Sequence, residues 1–251
     1  MAKWWGRFSL VTGVIVVISA SVLVAWGLRR YLHQSPRFAL RKVVVEGHQR
    51  RTPQGLAKAG GLEAGRNIFG IDEAQAATAI EADPWVERAT VRRELPNVMR
   101  VEVVERDPRA LAVLAGRLYL VDGQGEIFKT YDDGDPTDLP VISGVAEADV
   151  GEDREAVRRR LRRALDLVAD LERAQIAKRH PVQEVAVTKD LEMRVTVGTD
   201  GITLVFGPPP HRAKIAKAAR VLEELRYRKV KDAILFLDNR AHPERVVVRM
   251  R

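Results

Sequence analysis

Residues 84–108 read PWVERATVRRELPNVMRVEVVERDP, and the spacing of apolar residues in this stretch sets the architecture around it. Trp85–Glu94 and Val98–Glu105 are extended runs rich in Val, Thr and Arg, joined by Leu95-Pro96-Asn97. Met99, Val101 and Val103 alternate with polar residues, which predicts an antiparallel hairpin with one buried face. Pro84 stops the preceding element and leaves Trp85 to cover the sheet edge.

Upstream, Asp72 is placed to cap a helix over Asp72–Ala82, with Ile71, Ala74, Ala77 and Ile80 near one face. Before it, Thr52-Pro53 supplies a cap and a first-turn proline for a short helix that Gly60-Gly61 stops. Leu40–Gly47, LRKVVVEG, reads as a strand. The order β-α-α-β-β describes a small sheet covered by two helices.

Downstream, Arg106-Asp107-Pro108 punctuates the chain. Strands are predicted at Leu111–Leu114 and Leu118–Val121, then at Ile127–Lys129 after a turn at Asp122-Gly123, with an acidic loop over Tyr131–Pro140. Val157, Leu161, Ala164, Val168 and Leu171 recur at helical spacing within one long helix, Glu152–Lys178. Strands follow at Glu184–Thr188, Glu192–Val197 and Ile202–Phe206. Pro208-Pro209-Pro210 then precedes a helix with Ile215, Ala219, Leu222 and Leu225 inward, and Ala233–Leu237 and Val246–Met250 read as strands. This second region is also α+β, with a mostly antiparallel sheet.

The residues before Leu40 are of another kind. From Phe8 through Val16 to Leu28 the chain carries no charge, and 21 residues at ~1.5 Å each span about 31 Å, the thickness of a bilayer's hydrocarbon. Trp4, Trp5, Trp26 and Tyr31 fall where interfacial aromatic belts lie. A cleaved signal peptide would carry a shorter apolar run ending in small residues, whereas this one ends VAWGLR. The segment is therefore a membrane anchor. Lys3, Arg7, Arg29 and Arg30 flank it and account for half of the net charge of +8. The charges alone leave the topology open: more basic residues follow the helix than precede it, but long domains translocate largely regardless of charge.

No catalytic constellation is present. The sequence contains no cysteine, which excludes disulfides, thiolate metal sites and a cysteine nucleophile. His33, His48, His180, His211 and His242 are scattered without ligand spacing and read as surface or loop residues. Asp132, Asp133, Asp135 and Asp138 lack the later glutamate of a calcium loop and read as a solvated turn. Gly123-Gln124-Gly125 lacks the third glycine of a dinucleotide loop and reads as a hairpin turn. Arg158-Arg159-Arg160 with Arg162-Arg163 reads as an exposed helix face partly paired with Glu155 and Asp166; an acidic partner or anionic lipid is the functional alternative. No metal or cofactor is implied.

The quoted residues resemble the bacterial cell-division family FtsQ, called DivIB in other lineages. Phe38–Gly47 resembles the opening strand of the family's POTRA domain, and Gly65-Arg66-Asn67-Ile68-Phe69 its entry to the next helix. Pro84–Arg93, Leu95-Pro96-Asn97 and Val104–Pro108 are the most diagnostic pieces. Leu120-Val121-Asp122, Gly125, Phe128 and Leu139–Gly144 look like the start of the family's β domain. The resemblance implies a cytoplasmic tail over 1–7, a transmembrane helix over 8–28, a linker over 29–37, a POTRA domain over 38–106 and an FtsQ-type β domain over 107–251. It also implies a periplasmic body, enrichment at the division septum, and a scaffold without enzymatic activity that helps control septal wall synthesis.

The implied partners are FtsB-like and FtsL-like single-span proteins, the first adding a strand at an edge made by Arg240, Arg245, Val246, Val247, Val248, Arg249 and Met250. Other divisome proteins would meet the POTRA domain, and no nucleic acid is involved. The chain departs from the family pattern in the turn Ala241–Arg245 and near Met250, where the family often carries an aromatic residue. POTRA modules also serve secretion and outer-membrane assembly, which is the alternative function.

Overall fold

A computed structural model describes residues 2–239, 242 and 245–250, with side-chain surroundings from residue 15 onward. The chain divides into two compact units, Met1–Arg106 and Asp107–Arg251.

The first unit opens with helix α1, Ala2–Gln34, and among the described residues its segment Ile15–Gln34 is long and apolar enough to cross a membrane. The helix runs past Leu28 into the expected linker. Arg29 to His33 contain no breaker, and only Pro36 enforces a 3-10 turn, Pro36–Phe38, capped by Ser35. The end of α1 is tied down inside this unit. The Asn67 side-chain amide donates to the carbonyls of Leu32 and His33, both at 2.9 Å, while its own oxygen accepts from Phe69 N. Tyr31, Phe38 and Phe69 stack edge to face beside it.

The sheet of this unit has the order β1-β3-β2, where β1 is Lys42–Glu46, β2 Val86–Glu94 and β3 Val98–Glu105. Strand β1 runs parallel to β3, and β2 pairs antiparallel, with Val91 opposite Val101. Helices α2 (Pro53–Ala59, capped by Thr52) and α3 (Glu73–Glu81, capped by Asp72) cover one face. Leu56, Ile68, Ile80, Met99 and Val101 form the centre of the core. On α3 the inward alanine is Ala76 rather than Ala74, because Ala76 and Ile80 share a face one turn apart. Trp85 is buried at the start of edge strand β2, under the Arg50 guanidinium at 4.6 Å. The Glu105 carboxylate accepts from the amides of Gln49, Arg50 and Arg51 at 2.8–3.0 Å. Burial alone would raise this carboxyl, but the three amides hold it below its ordinary value.

The second unit is built on one nine-stranded sheet of order β12-β11-β10-β9-β8-β7-β4-β5-β6. Its strands are β4 Pro108–Leu114, β5 Arg117–Asp122, β6 Ile127–Thr130, β7 Val141–Ser143, β8 Val182–Val187, β9 Met193–Val197, β10 Ile202–Gly207, β11 Ala233–Phe236 and β12 Val247–Met250. Three neighbouring pairs are parallel (β4 with β7, β7 with β8, β10 with β11) and the remaining five are antiparallel. Val185, Val195, Leu204 and Leu235 face the same side and pack with Leu161, Leu167, Leu171, Ile215 and Leu222 of two helices in the main core.

The long helix expected over 152–178 is two helices, α5 Arg154–Arg173 and α6 Ile176–Arg179, preceded by a separate short helix α4, Glu147–Glu152. Asp153 breaks the first junction by turning its side chain onto Ala156 N as an N-cap, and Gln175 breaks the second at φ +61°. Helix α7, Arg212–Tyr227, buries Ala218, with Ala219 only partly covered. One further expectation is corrected: Arg160 is buried rather than on the exposed basic face. His180 is a loop histidine, in the bend after α6, and is buried there. The acidic loop closes on Lys129, whose ammonium meets Asp132 at 3.0 Å and Asp135 at 2.6 Å.

Candidate interaction edge

Strand β12 ends the sheet. It pairs on one side with β11, Leu235 opposite Val248 and Ala233 opposite Met250, and no described strand lies on its other side. An antiparallel strand with one neighbour turns the N–H and C=O groups of every second residue outward. The edge is therefore open to another extended polypeptide.

Side-chain alternation gives this edge two faces. Leu235 and Ala233 are fully buried, so Val248 and Met250 continue the core face one strand further. Helix cover runs out there: Val248 is 36% and Met250 63% exposed, while Val246 still packs on the core. On the opposite face Val247 stands across from Phe236, and the Arg249 guanidinium lies 5.4 Å from the Phe236 ring. Val247 is half exposed. The site thus offers backbone hydrogen-bonding groups, an apolar strip on one face and a cation on the other.

The segment that delivers β12 is fixed by interactions that alternation does not reveal. Lys214 of α7 donates to the carbonyls of Phe206 and Pro208, each at 2.8 Å, and meets Asp238 at 2.7 Å. This ammonium ties the ends of β10 and β11 to α7. Asn239 accepts from His242 N, and Arg245 N donates to His242 O at 2.9 Å, turning the chain back into β12. His211, against the Phe206 ring, is held below the ordinary histidine value by burial first and by the Lys214 charge second.

Of the residues that the sequence assigned to this edge, Val246, Val247, Val248, Arg249 and Met250 come together on and beside β12. Arg245 is exposed in the preceding turn. Arg240 lies outside the described residues. The supporting pair Lys214–Asp238 was missed as a pair; its only signal was the Leu237-Asp238-Asn239-Arg240 segment. Of the anchor residues, Val16 and Leu28 are exposed on α1, and Phe8 lies on its helical backbone with its side chain outside the described set. Among the described residues, no three His, Asp or Glu side chains converge as metal ligands.

Both units match known family models. Residues 38–106 match the family model for the POTRA domain, FtsQ-type. Residues 110–240 match the model for the cell division protein FtsQ/DivIB C-terminal region, so β12 lies beyond the matched stretch. The cell division protein FtsQ of Myxococcus fulvus is 35% identical over 91% of this chain and 80% of its own length. That of Anaeromyxobacter sp. (strain K) is 34% identical over 86% and 73%. That of Geotalea daltonii is 29% identical over 86% and 78%.

Proposed function

The chain belongs to the FtsQ/DivIB family of cell-division proteins, and from that premise we propose that it is a bitopic, non-enzymatic scaffold of the divisome whose β12 edge receives a strand from an FtsB-like partner. In this reading α1 anchors the chain with its N-terminus in the cytoplasm, and both folded units stand in the periplasm. An FtsL-like protein accompanies the strand donor, and the complex helps control septal wall synthesis at the division site. The POTRA unit, with its own strand edges, contacts other divisome proteins.

The observation that carries the reading is the pairing of an open edge with uncovered apolar side chains. An added strand would satisfy the outward backbone groups of β12 and cover Val248 and Met250 in one step. Each of these side chains would contribute roughly 1–2 kcal/mol if fully covered. The partner strand would carry apolar residues on the face that meets them.

The test places a photocrosslinking amino acid at Val248 or Met250 of the full-length protein in dividing cells of its own source. Crosslinks to short single-span coiled-coil division proteins are the expected result. Recovery of outer-membrane barrels in their place would remove a division partner from this edge and favour a role in envelope assembly.

A further inference from the structure

The arginine-rich start of α5 contains a feature that strand addition does not use. Ala156, Arg159, Arg160 and Arg163 stand at positions i, i+3, i+4 and i+7 and therefore share one side of the helix. Together with Lys189 and Leu191 from the β8–β9 turn they line a cavity of about 490 Å³. Ala156, the small residue of the set, leaves the room.

The carboxylates at this cavity take up part of its positive charge. Asp149 is buried, and it accepts from Arg160 Nη2 at 2.9 Å and from Lys189 Nζ at 2.7 Å. Those two cations keep its carboxyl ionised, at about 2. Asp153 caps α5 through Ala156 N and meets Arg159 only loosely, at 3.9 Å. Glu152 is exposed at the rim. The four cations exceed these three acids, and Arg163 pairs with no carboxylate among the described residues.

Arg160 forms the floor of the cavity. It is 7% exposed, and its Nη1 is buried without a hydrogen-bond acceptor among the described residues. Its Nη2 is engaged by Asp149, so Arg160 supplies fixed positive charge at the floor of the cavity. The two exposed guanidinium groups, Arg159 and Arg163, stand one turn apart and supply donors from two directions. That arrangement suits a tetrahedral anion with three or four oxygens better than a planar carboxylate, which offers two oxygens in one plane.

We propose that this cavity is a binding site for a phosphoryl group, with the exposed Arg159 and Arg163 donating to the anion above a floor whose positive charge comes from Arg160 and Lys189. Two sources share that chemistry, a soluble phosphate ester and a phospholipid headgroup. The β8–β9 turn is the fixed wall of the site: Thr188 N donates to Glu192 O, Glu192 N to Thr188 Oγ1, and Leu191 N to Thr188 O, all at 3.0–3.1 Å.

The test uses the full-length protein in nanodiscs of zwitterionic lipid, titrated calorimetrically with inorganic phosphate and with glycerol phosphate at constant ionic strength. Saturable binding is expected, weakened at least about tenfold in an R159Q/R163Q variant, whose two side chains are exposed and carry no part of the core. The titration is repeated in nanodiscs containing phosphatidylglycerol. Loss of phosphate binding there identifies a headgroup as the occupant, and retained binding identifies a soluble ester. Absence of saturable binding in both lipids, or binding that the double variant leaves unchanged, would overturn the proposal.

Discussion

The two ends of the nine-stranded sheet answer the same problem in opposite ways. At one end β6 is closed. It is four residues long, its pairing with β5 is interrupted by a register shift at Leu120/Val121, and Ile127 packs against the core. Lys129 is drawn into the following acidic loop by Asp135 and Asp132. Burial would lower this ammonium's pKa, yet the two carboxylates hold it above its ordinary value. A bulge and a charge are the devices by which sheets blunt an edge against unwanted pairing. At the other end β12 is equally short, but it shows Val247, Val248 and Met250 to solvent. One edge is finished within the chain, and the other, with no described strand beyond it, is the edge proposed to receive a partner strand.

The contrast can be broken most severely at Gly125, in the turn leading into β6. Its φ is +79°, and an added Cβ would lie 2.5 Å from Arg158 O and 2.8 Å from Arg162 N of α5, where backbone cannot yield. Gly125→Ala is expected to lower unfolding stability by about 3–5 kcal/mol, from left-handed strain plus overpacking. Chemical denaturation measures it; a change under 1 kcal/mol would show that the turn and α5 move apart freely.

Val247→Pro acts at the open edge. Proline removes an N–H from a four-residue strand, and partner affinity should fall about a hundredfold, or roughly 2.7 kcal/mol, while the main core keeps its thermal midpoint. Unaltered affinity in a folded variant, read by titration with the FtsB-like partner, removes β12 from the interface. The matching change at the closed edge is Lys129→Ala. Asp135, whose side chain is 10% exposed, then loses its cation, costing about 1–2 kcal/mol and opening β6 to hydrogen exchange. Partner affinity should not move, and if it falls, the two edges are coupled.

The smallest expected effect is on pH dependence. Asp149 titrates at about 2, below the ordinary carboxylate value of ~3.9. Its ionised form is therefore favoured by the fold, and this contribution is complete above roughly pH 4–5 and disappears as pH falls toward 2. Carbon-13 NMR of the Asp149 carboxyl against pH gives the midpoint directly; a midpoint near 4 would mean that the Arg160 and Lys189 contacts do not persist in solution.

Much of this molecule was legible one segment at a time. Thr52 and Asp72 cap the helices their spacing announced, Leu95-Pro96-Asn97 turns the hairpin, and Val157, Leu161, Ala164, Val168 and Leu171 all reach the core. These features depend on neighbours within about one or two turns of chain, so the residue pattern contains them. The long apolar helix was legible for the same reason, since its length and composition are read from adjacent residues.

What the pattern could not give depends on segments distant in sequence. Arg160 looked like one more exposed arginine because the carboxylate that draws it inside, Asp149, sits on a separate helix whose existence required Asp153 to end it. Gly125 looked like an ordinary hairpin glycine until α5 was laid across it. Val246–Met250 read correctly as a strand, but alternation is the same for an interior strand and an edge strand. Only the assembled order, with β11 between β10 and β12 and nothing described beyond, decides that its outer hydrogen-bonding groups are free to be shared. Local propensity is fixed by sequence; position in a sheet is fixed by which long-range pairings close together, and that is a property of the tertiary structure alone.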